Sequence, residues 1–414
     1  MFRKLLTYDE AKKAIEQNLK PKPLGIEEIS LLEAYNRVLA VDAVSNLDIP
    51  PFHRSTVDGY AVKAEDTYGA DENQPLKLKV CGSVHIGEPP KLSVGSGEAA
   101  EIVTGAPIPE GADSVIMVED THRQDSELVV YSSVTKSENI QKLGSDIKNG
   151  EIILKAGQSL GSREIGVLAA LGKSKIEVFK MPTVAVLSTG SEVTEPGKPL
   201  PEGKIYDINA YSLCTAVRES GGKPLYMGVV PDEKETLRKT LEEALISADA
   251  VLTSGGVSVG PKDIVPVTVN SLGKPGLIFS GVALKPGKPV TLGLIGKKPV
   301  FSFPGHPTSA LLTFHLLAKP VIRSMAGKPP QKTALVKAYA TKRMFSAKGR
   351  RTFVTVRIKH DDAAKRLVAE PVDAGASGAI TTLAKADGFV EIPENQQFID
   401  VDEQVVVQLF NETW

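Results

Sequence analysis

The chain has 414 residues, 42% of them hydrophobic and 24% charged, which is an ordinary composition for a globular protein. Because one hydrophobic core stops growing at roughly 250–300 residues, we expect about two to four domains. The 49 basic and 50 acidic residues leave a net charge of −1, which excludes a global attraction to nucleic acid or to anionic membranes, so we expect neither as a partner.

The cysteine and histidine contents argue against two further kinds of site. Cys81 and Cys214 lie far apart in sequence, so we expect no disulfide framework and a reducing compartment, the cytoplasm. The six histidines form no HxxxH or HxH pattern, which disfavours a histidine-based zinc site. The first residues become charged and helical too early for a signal peptide, and no apolar run approaches the ~18 residues that span a bilayer.

The first part of the chain predicts two helices followed by a boundary. Residues 8–19 carry apolar side chains at helical spacing after an acidic start, and residues 29–39 favour a second short helix. The sequence DIPPFHRS at 48–55 contains two prolines, which interrupt a helix, so we expect a domain boundary there.

Residues 75–137 predict a β-rich domain, because short β-like runs alternate with Gly and Pro. Residues 138–180 return to mixed α/β character. We therefore expect residues 1–48 and 138–180 to form one discontinuous N-terminal domain, interrupted by a β-rich domain at 49–137.

Residues 181–326 alternate strands with helices, which predicts a doubly wound α/β domain with a largely parallel sheet and helices on both faces. Asp232 is the expected N-cap of the helix after PLYMGVV. β-like runs recur after Pro329, so residues 327–414 are expected to form a small β-barrel or sandwich. The predicted fold class is thus multidomain, α/β plus β.

In open α/β sheets ligands bind at the carboxyl ends of the strands, and three segments meet that description. The first is the glycine-rich loop from Ser254 to Gly260, which follows the strand AVLT. Its glycines allow backbone N–H groups to approach a phosphate, and Ser254, Ser258 and Asp263 add hydroxyls and a carboxylate. A tight strand-to-helix turn without a ligand explains the same glycines equally well.

The second segment places Glu192 in a loop after the strand TVAVLST. Glu192, Asp207, Asp232 and Asp263 are expected on one rim of the sheet, where several carboxylates facing one cleft suit Mg²⁺ shared with a substrate phosphate. Asp207 and Asp232 are also explained as helix N-caps, and for Asp207 alone that is the better interpretation.

The third segment contains Lys285 and Lys288 in LKPGKP, a rigid cationic loop that suits either anion binding or ordinary solvation. FPGHPTSA follows at 303–310, where His306 is interpreted as a turn histidine rather than a metal ligand. Asp58 and Thr104 lie in polar turns that a turn cap and a β-bulge would explain.

Seven strings of the sequence occur together in the order of a known family. They are TVDGYA (56–61), TGAPIPEGAD (104–113), STGSE (188–192), IYDIN (205–209), SGGVSVGPKD (254–263), LKPGKP (284–289) and FPGHPTSA (303–310). In these strings the sequence resembles the molybdopterin molybdenumtransferases, a family that includes the C-terminal domain of gephyrin, and the resemblance covers nearly the whole chain.

The resemblance implies that the protein joins molybdate to adenylylated molybdopterin with Mg²⁺, releasing AMP and forming the molybdenum cofactor. It also implies four subdomains and an elongated, L-shaped homodimer. The implied active cleft combines the molybdopterin-binding-type α/β domain with the β-rich second domain of the partner subunit.

The same resemblance assigns roles to individual residues, none of them as a covalent nucleophile. The implied catalytic residues are Asp58, Thr104, Glu192, Asp232 and Asp263, with Glu192 and Asp263 holding Mg²⁺. The implied ligand-binding residues are Ser254, Gly255, Gly256, Ser258, Lys285, Lys288, Pro304, Pro307, Ser309, Arg350 and Ser377. Lys285 and Lys288 match lysines associated with molybdate or ligand anions, and Arg351 is an alternative to its neighbour Arg350.

Three points stay open beside this resemblance. Many members have Asn where this chain has His306, which leaves molybdate and tungstate both open as the oxyanion. The adenylyltransferase that makes the adenylylated pterin shares the GGVS-type loop, but the segments TVDGYA and TGAP argue against that activity. A scaffold role, which gephyrin also has, is disfavoured because the sequence has no long disordered linker.

Overall fold

The computed structural model describes residues 5–257, 264–330, 334–372 and 380–410. The helices are α1 (Tyr8–Leu19), α2 (Ser162–Ala170), α3 (Asn209–Glu219), α4 (Lys234–Ser247), α5 (Ile264–Ser271), α6 (Pro307–Thr313), α7 (Lys319–Met325) and α8 (Thr381–Lys385). Within these described ranges, no helix combines the length and the apolar character needed to cross a membrane.

The strands are short and distributed along the whole described chain. In the first part they are β1 (Ile26–Ser30), β2 (Ala43–Val44), β3 (Arg54–Ser55), β4 (Gly59–Val62), β5 (Leu76–Val84), β6 (Glu98–Ile102), β7 (Ser114–Met117), β8 (Thr121–Gln124), β9 (Glu127–Val130), β10 (Ile140–Gln141), β11 (Ile152–Leu154) and β12 (Lys175–Phe179). The middle part contains β13 (Thr183–Thr189), β14 (Val193–Thr194), β15 (Ile205–Tyr206), β16 (Lys223–Val230), β17 (Ala250–Ser254), β18 (Pro275–Ser280), β19 (Leu284–Lys285), β20 (Thr291–Ile295) and β21 (Lys298–Phe303). The last part contains β22 (Leu335–Ala340), β23 (Met344–Phe345), β24 (Arg351–Asp361), β25 (Arg366–Pro371), β26 (Gly388–Ile392), β27 (Phe398–Ile399) and β28 (Gln404–Leu409).

The chain folds into two compact units. One consists of Met1–Ala40, Gly157–Ser162 and Lys175–Trp414, and the other of Val41–Ala156 and Arg163–Ser174. The division into four domains at 48, 137, 180 and 326 stays a prediction.

The second unit is β-rich, as the sequence predicts for residues 75–137. Its main sheet has six strands in the order β7-β4-β6-β5-β9-β8. Two small apolar cores lie against this sheet, one around Tyr60, Leu128 and Val130 and the other around Ile102 and Val115. This sheet positions Asp58 and Thr104 at the ends of neighbouring strands.

The first unit opens with α1, whose bounds match the sequence prediction. Its start is fixed by a capping box, in which Glu10 N donates to Thr7 Oγ1 and Thr7 N donates to Glu10 Oε2. The helix predicted at 29–39 is wrong. Residues 26–30 form β1, which pairs with β12, and only Leu31–Glu33 makes a short 3₁₀ turn. Asn36 then takes a left-handed φ of 62°, which no continuing α-helix accepts.

The α/β sheet of the first unit has the order β16-β13-β17-β21-β20-β18. The pairs β13–β16, β13–β17 and β17–β21 are parallel, whereas β20 pairs antiparallel with both β21 and β18. The sequence prediction of a largely parallel sheet is therefore confirmed, with an antiparallel edge that includes the unpredicted strand β18.

Both faces of this sheet are covered by helices. Successive residues of β13 point to opposite faces, so they pack into two different cores. Val184 and Val186 belong to a core with Leu213 of α3 and Phe314. Ala185 and Leu187 belong to a second core, to which α4 and α5 contribute. The doubly wound architecture predicted from the sequence is confirmed.

A long helical segment follows β21, as the sequence predicts for residues 307–326. It consists of α6, a π-helical stretch at Phe314–Ala318 and α7, which has Pro320 in its first turn. Proline lacks the N–H of a regular helical residue, and Pro320 lies directly after the π-helical stretch, where the regular hydrogen-bond pattern is already interrupted.

The last described part of the chain is a closed barrel of five strands, in the order β24-β25-β22-β28-β26 with β26 pairing back to β24. Of the two predicted alternatives the barrel is therefore correct. β19 joins β24 in parallel, which links the LKPGKP segment to the barrel.

Candidate active site

The carboxyl ends of four parallel strands share one edge of the α/β sheet. β13 ends at Thr189, β16 at Val230, β17 at Ser254 and β21 at Phe303. The loops after these strands contain most of the sequence-predicted site residues of the first unit, so this edge is the candidate active site.

Asn209 joins three of these segments through its side-chain amide. Its Nδ2 donates to Ser254 Oγ and to Gly305 O, each at 2.7 Å, and Ser254 Oγ donates to Pro304 O at 3.3 Å. Ser254 is only 2% exposed, so its hydroxyl is an internal link rather than an open ligand-binding group. Asn209 is not among the predicted site residues, although its position in IYDIN at the start of α3, beside the predicted carboxylates, indicates that it lies near the site.

The glycine turn after β17 is required by close packing. Gly255 has a φ of 96°, and a Cβ there would lie 2.1 Å from Thr189 O. Gly256 has a φ of 64°, and a Cβ there would lie 2.6 Å from Val265 Cγ2. Because Gly255 N donates to Phe303 O at 3.1 Å, this N–H supports the turn interpretation and is not turned toward a ligand.

Asp207 is largely internal and caps the first turn of α3, but not from the N-cap position that the sequence predicts. Its Oδ1 accepts from Ser188 Oγ at 2.8 Å and from Ala210 N at 3.1 Å, so it binds the first turn of α3. The N-cap position itself belongs to Ile208, one residue later.

The interpretation of Asp232 as the N-cap of α4 is wrong. Glu233 takes that position, and the helix begins at Lys234. Asp232 instead accepts a hydrogen bond from the hydroxyl of buried Thr189, which ties the loop after β16 to the end of β13. Glu192 is exposed, and its carboxylate packs closely against Gly190. A Cβ added to Gly190 would lie 2.8 Å from the Glu192 oxygens.

The cationic loop, Lys285–Lys288, packs on α6. Gly287 has a φ of 108°, and a Cβ there would lie 2.2 Å from Thr313 Cγ2 and 3.9 Å from Ser309 O. Lys285 is exposed and Lys288 is half-buried, and neither forms an ion pair within the part of the chain that the structure describes. The loop is therefore held rigidly while its two ammonium groups stay available.

The FPGHPTSA segment begins α6 beside this loop. Pro307 occupies the first turn of the helix, and Ser309 is 5% exposed. His306 is exposed at the N-cap position, where its carbonyl accepts from Ala310 N at 2.9 Å. This geometry supports a turn role for His306.

Arg350 lies next to the cationic loop, because β19 pairs in parallel with β24 and brings Lys285 opposite Thr352. The side chain of Arg350 is half-buried and forms no ion pair with any residue of the described ranges. The guanidinium of Arg351 is already held by Asp9 and Glu394. Ser258, Asp263 and Ser377 lie outside the described residues.

Asp58 and Thr104 come together in the second unit. The antiparallel register of β4 and β6 pairs Gly59 with Ile102, so the residues just beyond these strands become neighbours. Asp58 Oδ1 accepts from Thr104 N at 2.6 Å and from Thr104 Oγ1 at 2.8 Å. These backbone and side-chain hydrogen bonds lower the pKa of the exposed Asp58 carboxyl, which therefore stays ionised.

Three regions of the chain match known protein families. Residues 6–172 match the MoeA N-terminal region (domain I and II), residues 185–324 a probable molybdopterin binding domain, and residues 337–410 the MoeA C-terminal region (domain IV). Together these matches extend over most of the chain.

Relatives of full length carry the same combination. The chain is 33% identical over 413 residues to the molybdopterin molybdenumtransferase of Haemophilus influenzae, covering 98% of this chain and 99% of that protein. It is 33% identical to a putative molybdopterin biosynthesis protein of Methanocaldococcus jannaschii, covering 98% and 96% of the two chains.

Solved structures agree with the fold. A molybdopterin biosynthesis MoeA protein from Pyrococcus horikoshii superimposes with a TM-score of 0.84 and 42% identity, covering 99% of this chain and 100% of that chain. A second MoeA protein of that organism gives a TM-score of 0.80 and 34% identity, covering 98% and 100%.

Proposed function

Because the chain belongs to the MoeA family of molybdopterin molybdenumtransferases, we propose that it is a transferase that inserts molybdenum into molybdopterin. The proposed substrates are adenylylated molybdopterin and molybdate, with tungstate as the alternative oxyanion, and AMP is the second product. The observation that carries the proposal is the rigid cationic loop, which packs on α6 beside Arg350 at the edge where the glycine turn lies.

The oxyanion is assigned to Lys285, Lys288 and Arg350. Molybdate is a dianion, and charge-assisted hydrogen bonds from ammonium and guanidinium groups suit its oxygens. The packing of Gly287 on Thr313 fixes the loop before the anion arrives, so little ordering is needed on binding.

The pterin nucleotide is proposed to lie against the backbone of the turn of Ser254, Gly255 and Gly256 and the start of α6, which shape its site without using the Ser254 hydroxyl or the Gly255 N–H. In this arrangement Asn209 fixes the distance between the two segments, because one amide group holds Ser254 and Gly305 together. Loss of the adenylyl group develops negative charge at phosphate oxygens, and nearby cations stabilise that charge.

Magnesium is proposed to bind at the exposed carboxylates of this edge. Among the described residues no three His, Cys, Asp or Glu side chains form a metal-binding group, but Mg²⁺ commonly uses one or two carboxylates plus substrate phosphates. Glu192 and Asp232 supply such carboxylates, and Asp263, beyond the described ranges, is the third proposed acid. Mg²⁺ bound there would neutralise charge on the substrate phosphate.

The active form is proposed to be a homodimer in which Asp58 and Thr104 serve the cleft of the other subunit. Their support is chemical: an exposed, ionised carboxylate already oriented by a threonine is a ready hydrogen-bond acceptor. The cytoplasm is the proposed location, and the free thiols of Cys81 and Cys214 are compatible with it.

Lysine variants test the assignment of the oxyanion. Lys285→Ala and Lys288→Ala should each lower kcat/KM for molybdate by about tenfold or more, because a charge-assisted contact is lost. Lys297→Ala, which removes an exposed lysine from the turn between β20 and β21, is the matched control and should behave as wild type. Equal activity in all three variants would remove the cationic loop from the site.

A further inference from the structure

Arg351 joins separate parts of the first unit through one half-buried guanidinium. Its side chain is 16% exposed and pairs with Asp9 of α1 at 2.9 Å, with Glu394 at 3.0 Å and with Glu391 of β26 at 3.3 Å. The guanidinium also lies over the ring of Tyr8, 5.3 Å from its centroid. One arginine thus connects the first helix to the barrel.

The backbone of Arg351 fixes the strand that precedes the cationic loop. Arg351 N donates to Ala283 O at 2.9 Å, and the register pairs Leu284 with Arg351 and Lys285 with Thr352. A displacement of Arg351 would therefore be transmitted directly to Lys285.

The backbone of Arg350 is held by a hydrogen-bonded turn that directly precedes Arg351. Arg350 N donates to Ala347 O at 3.0 Å, while Thr352 Oγ1 accepts from Ala347 N at 3.0 Å and donates to Arg350 O at 3.3 Å. Arg351, the first residue of β24, faces the acidic residues, and the turn that contains Arg350 directly precedes this strand.

We infer that Arg351 is a positioning residue that sets the spacing between Lys285 and Arg350 without touching the oxyanion. The inference rests on the proposed function, since the oxyanion is the ligand assigned to that pair. A planar guanidinium is required because it binds Asp9 with two nitrogens and still reaches Glu394, whereas the ammonium of lysine is a point charge.

Arg351→Met and Arg351→Lys test this role, with Arg343→Met as the matched control. Arg343 makes a comparable two-nitrogen contact with Asp400 and packs over Phe398 of β27, in the last described part of the chain. Molybdate binding is measured by equilibrium dialysis, and kcat and KM by AMP release. Arg351→Met should raise the Kd and KM for molybdate about tenfold while kcat changes less than about twofold.

The variants separate positioning from a general loss of stability. Arg351→Lys should recover part of the molybdate affinity, and Arg343→Met should leave it unchanged. Asp9→Asn, which removes one partner from a half-exposed position, should give a smaller rise in Kd and serves if Arg351→Met does not fold. The inference is overturned if Arg351→Met and Asp9→Asn bind molybdate like wild type. It is also overturned if kcat, the KM for molybdate and the KM for adenylylated molybdopterin all change together.

The dialysis arm also distinguishes this inference from the proposed function. If the wild type binds molybdate but releases no AMP, the proposed function fails, while the comparison of Kd values still decides the role of Arg351. If Lys285→Ala binds molybdate as tightly as the wild type, the oxyanion site is misplaced and the inference falls with it.

Discussion

The glycine turn after β17 shows at the scale of single residues how packing fixes the candidate site. Gly255 and Gly256 both have left-handed φ values, and a Cβ on either one would overlap atoms of Thr189 or Val265. The hydroxyl of Ser254 accepts a hydrogen bond from Asn209 and donates one to Pro304 O. These residues therefore shape the turn, and the charged contacts of the proposed site come from the cationic loop, Arg350 and the exposed acids.

Gly255→Ala should lower the free energy of unfolding by about 2–4 kcal/mol for two reasons. The new Cβ would lie 2.1 Å from the carbonyl oxygen of Thr189, and the φ of 96° is unfavourable for alanine. Gly296→Ala is the matched control, since Gly296 also has a positive φ of 62° but open space around it. The control should lose only about 1 kcal/mol. Urea denaturation measures both values, and equal losses would show that the contact with Thr189 is unimportant.

The sequence motifs supply candidate site residues, whose roles stay predictions, but not the contacts of those residues. Lys285, Lys288, Glu192, Asp58 and Thr104 follow from the motifs, and the structure places them on exposed or half-exposed loops. Contacts across the sheet depend on register, which the sequence does not specify. The hydrogen bond between Thr189 and Asp232 needs β13 and β16 side by side. Neighbouring residues alone show none of this pairing, and they indicate an N-cap for Asp232 instead.

At the scale of elements, the cationic loop and α6 act as one part. Gly287 packs closely on the methyl group of Thr313, where a Cβ would not fit, and Thr313 donates its hydroxyl to Ser309 O at 2.7 Å. Helix packing thus sets where Lys285 and Lys288 lie.

Gly287→Ala should displace the loop and raise the KM for molybdate about tenfold, since its Cβ would lie 2.2 Å from Thr313 Cγ2. Thr313→Ser removes that methyl group, retains the hydroxyl and should be close to wild type alone. The double variant should recover part of the lost affinity, with the remaining deficit caused by the φ of 108°. Steady-state kinetics test this, and a double variant as weak as Gly287→Ala would disprove the coupling.

Elements with strong local signals were predicted correctly. α1 has its capping box, and β13 and β17 are continuous apolar runs before a glycine. The helix expected at 29–39 fails because pairing with β12 and the left-handed Asn36 override helical periodicity. β18 escaped prediction because Pro275 and Gly276 at its start are typical of a turn.

At the scale of the whole molecule, the proposed homodimer makes a prediction about subunit mixing. If Asp58 serves the cleft of the partner subunit, co-expressed Asp58→Ala and Lys285→Ala chains form heterodimers with one intact cleft. Random mixing should then restore about a quarter of wild-type activity, because half of the dimers carry one of two sites. Activity no higher than that of either variant alone would show that Asp58 does not act across subunits.

The relation to the MoeA family is the best supported statement about the whole chain, since both the three matched regions and full-length relatives agree with the fold. The shared α/β domain alone would also suit the adenylyltransferase that makes the adenylylated pterin. The second unit and the C-terminal barrel favour the insertion reaction, because they match the MoeA regions rather than that domain.

The most direct test incubates the purified chain with adenylylated molybdopterin, Mg²⁺ and molybdate and measures both released AMP and pterin-bound molybdenum. The account predicts that the two products appear in equal amounts and that omission of molybdate prevents molybdenum transfer. Absence of molybdenum transfer, together with ATP-dependent adenylylation of molybdopterin, would contradict it and identify the adenylyltransferase reaction instead.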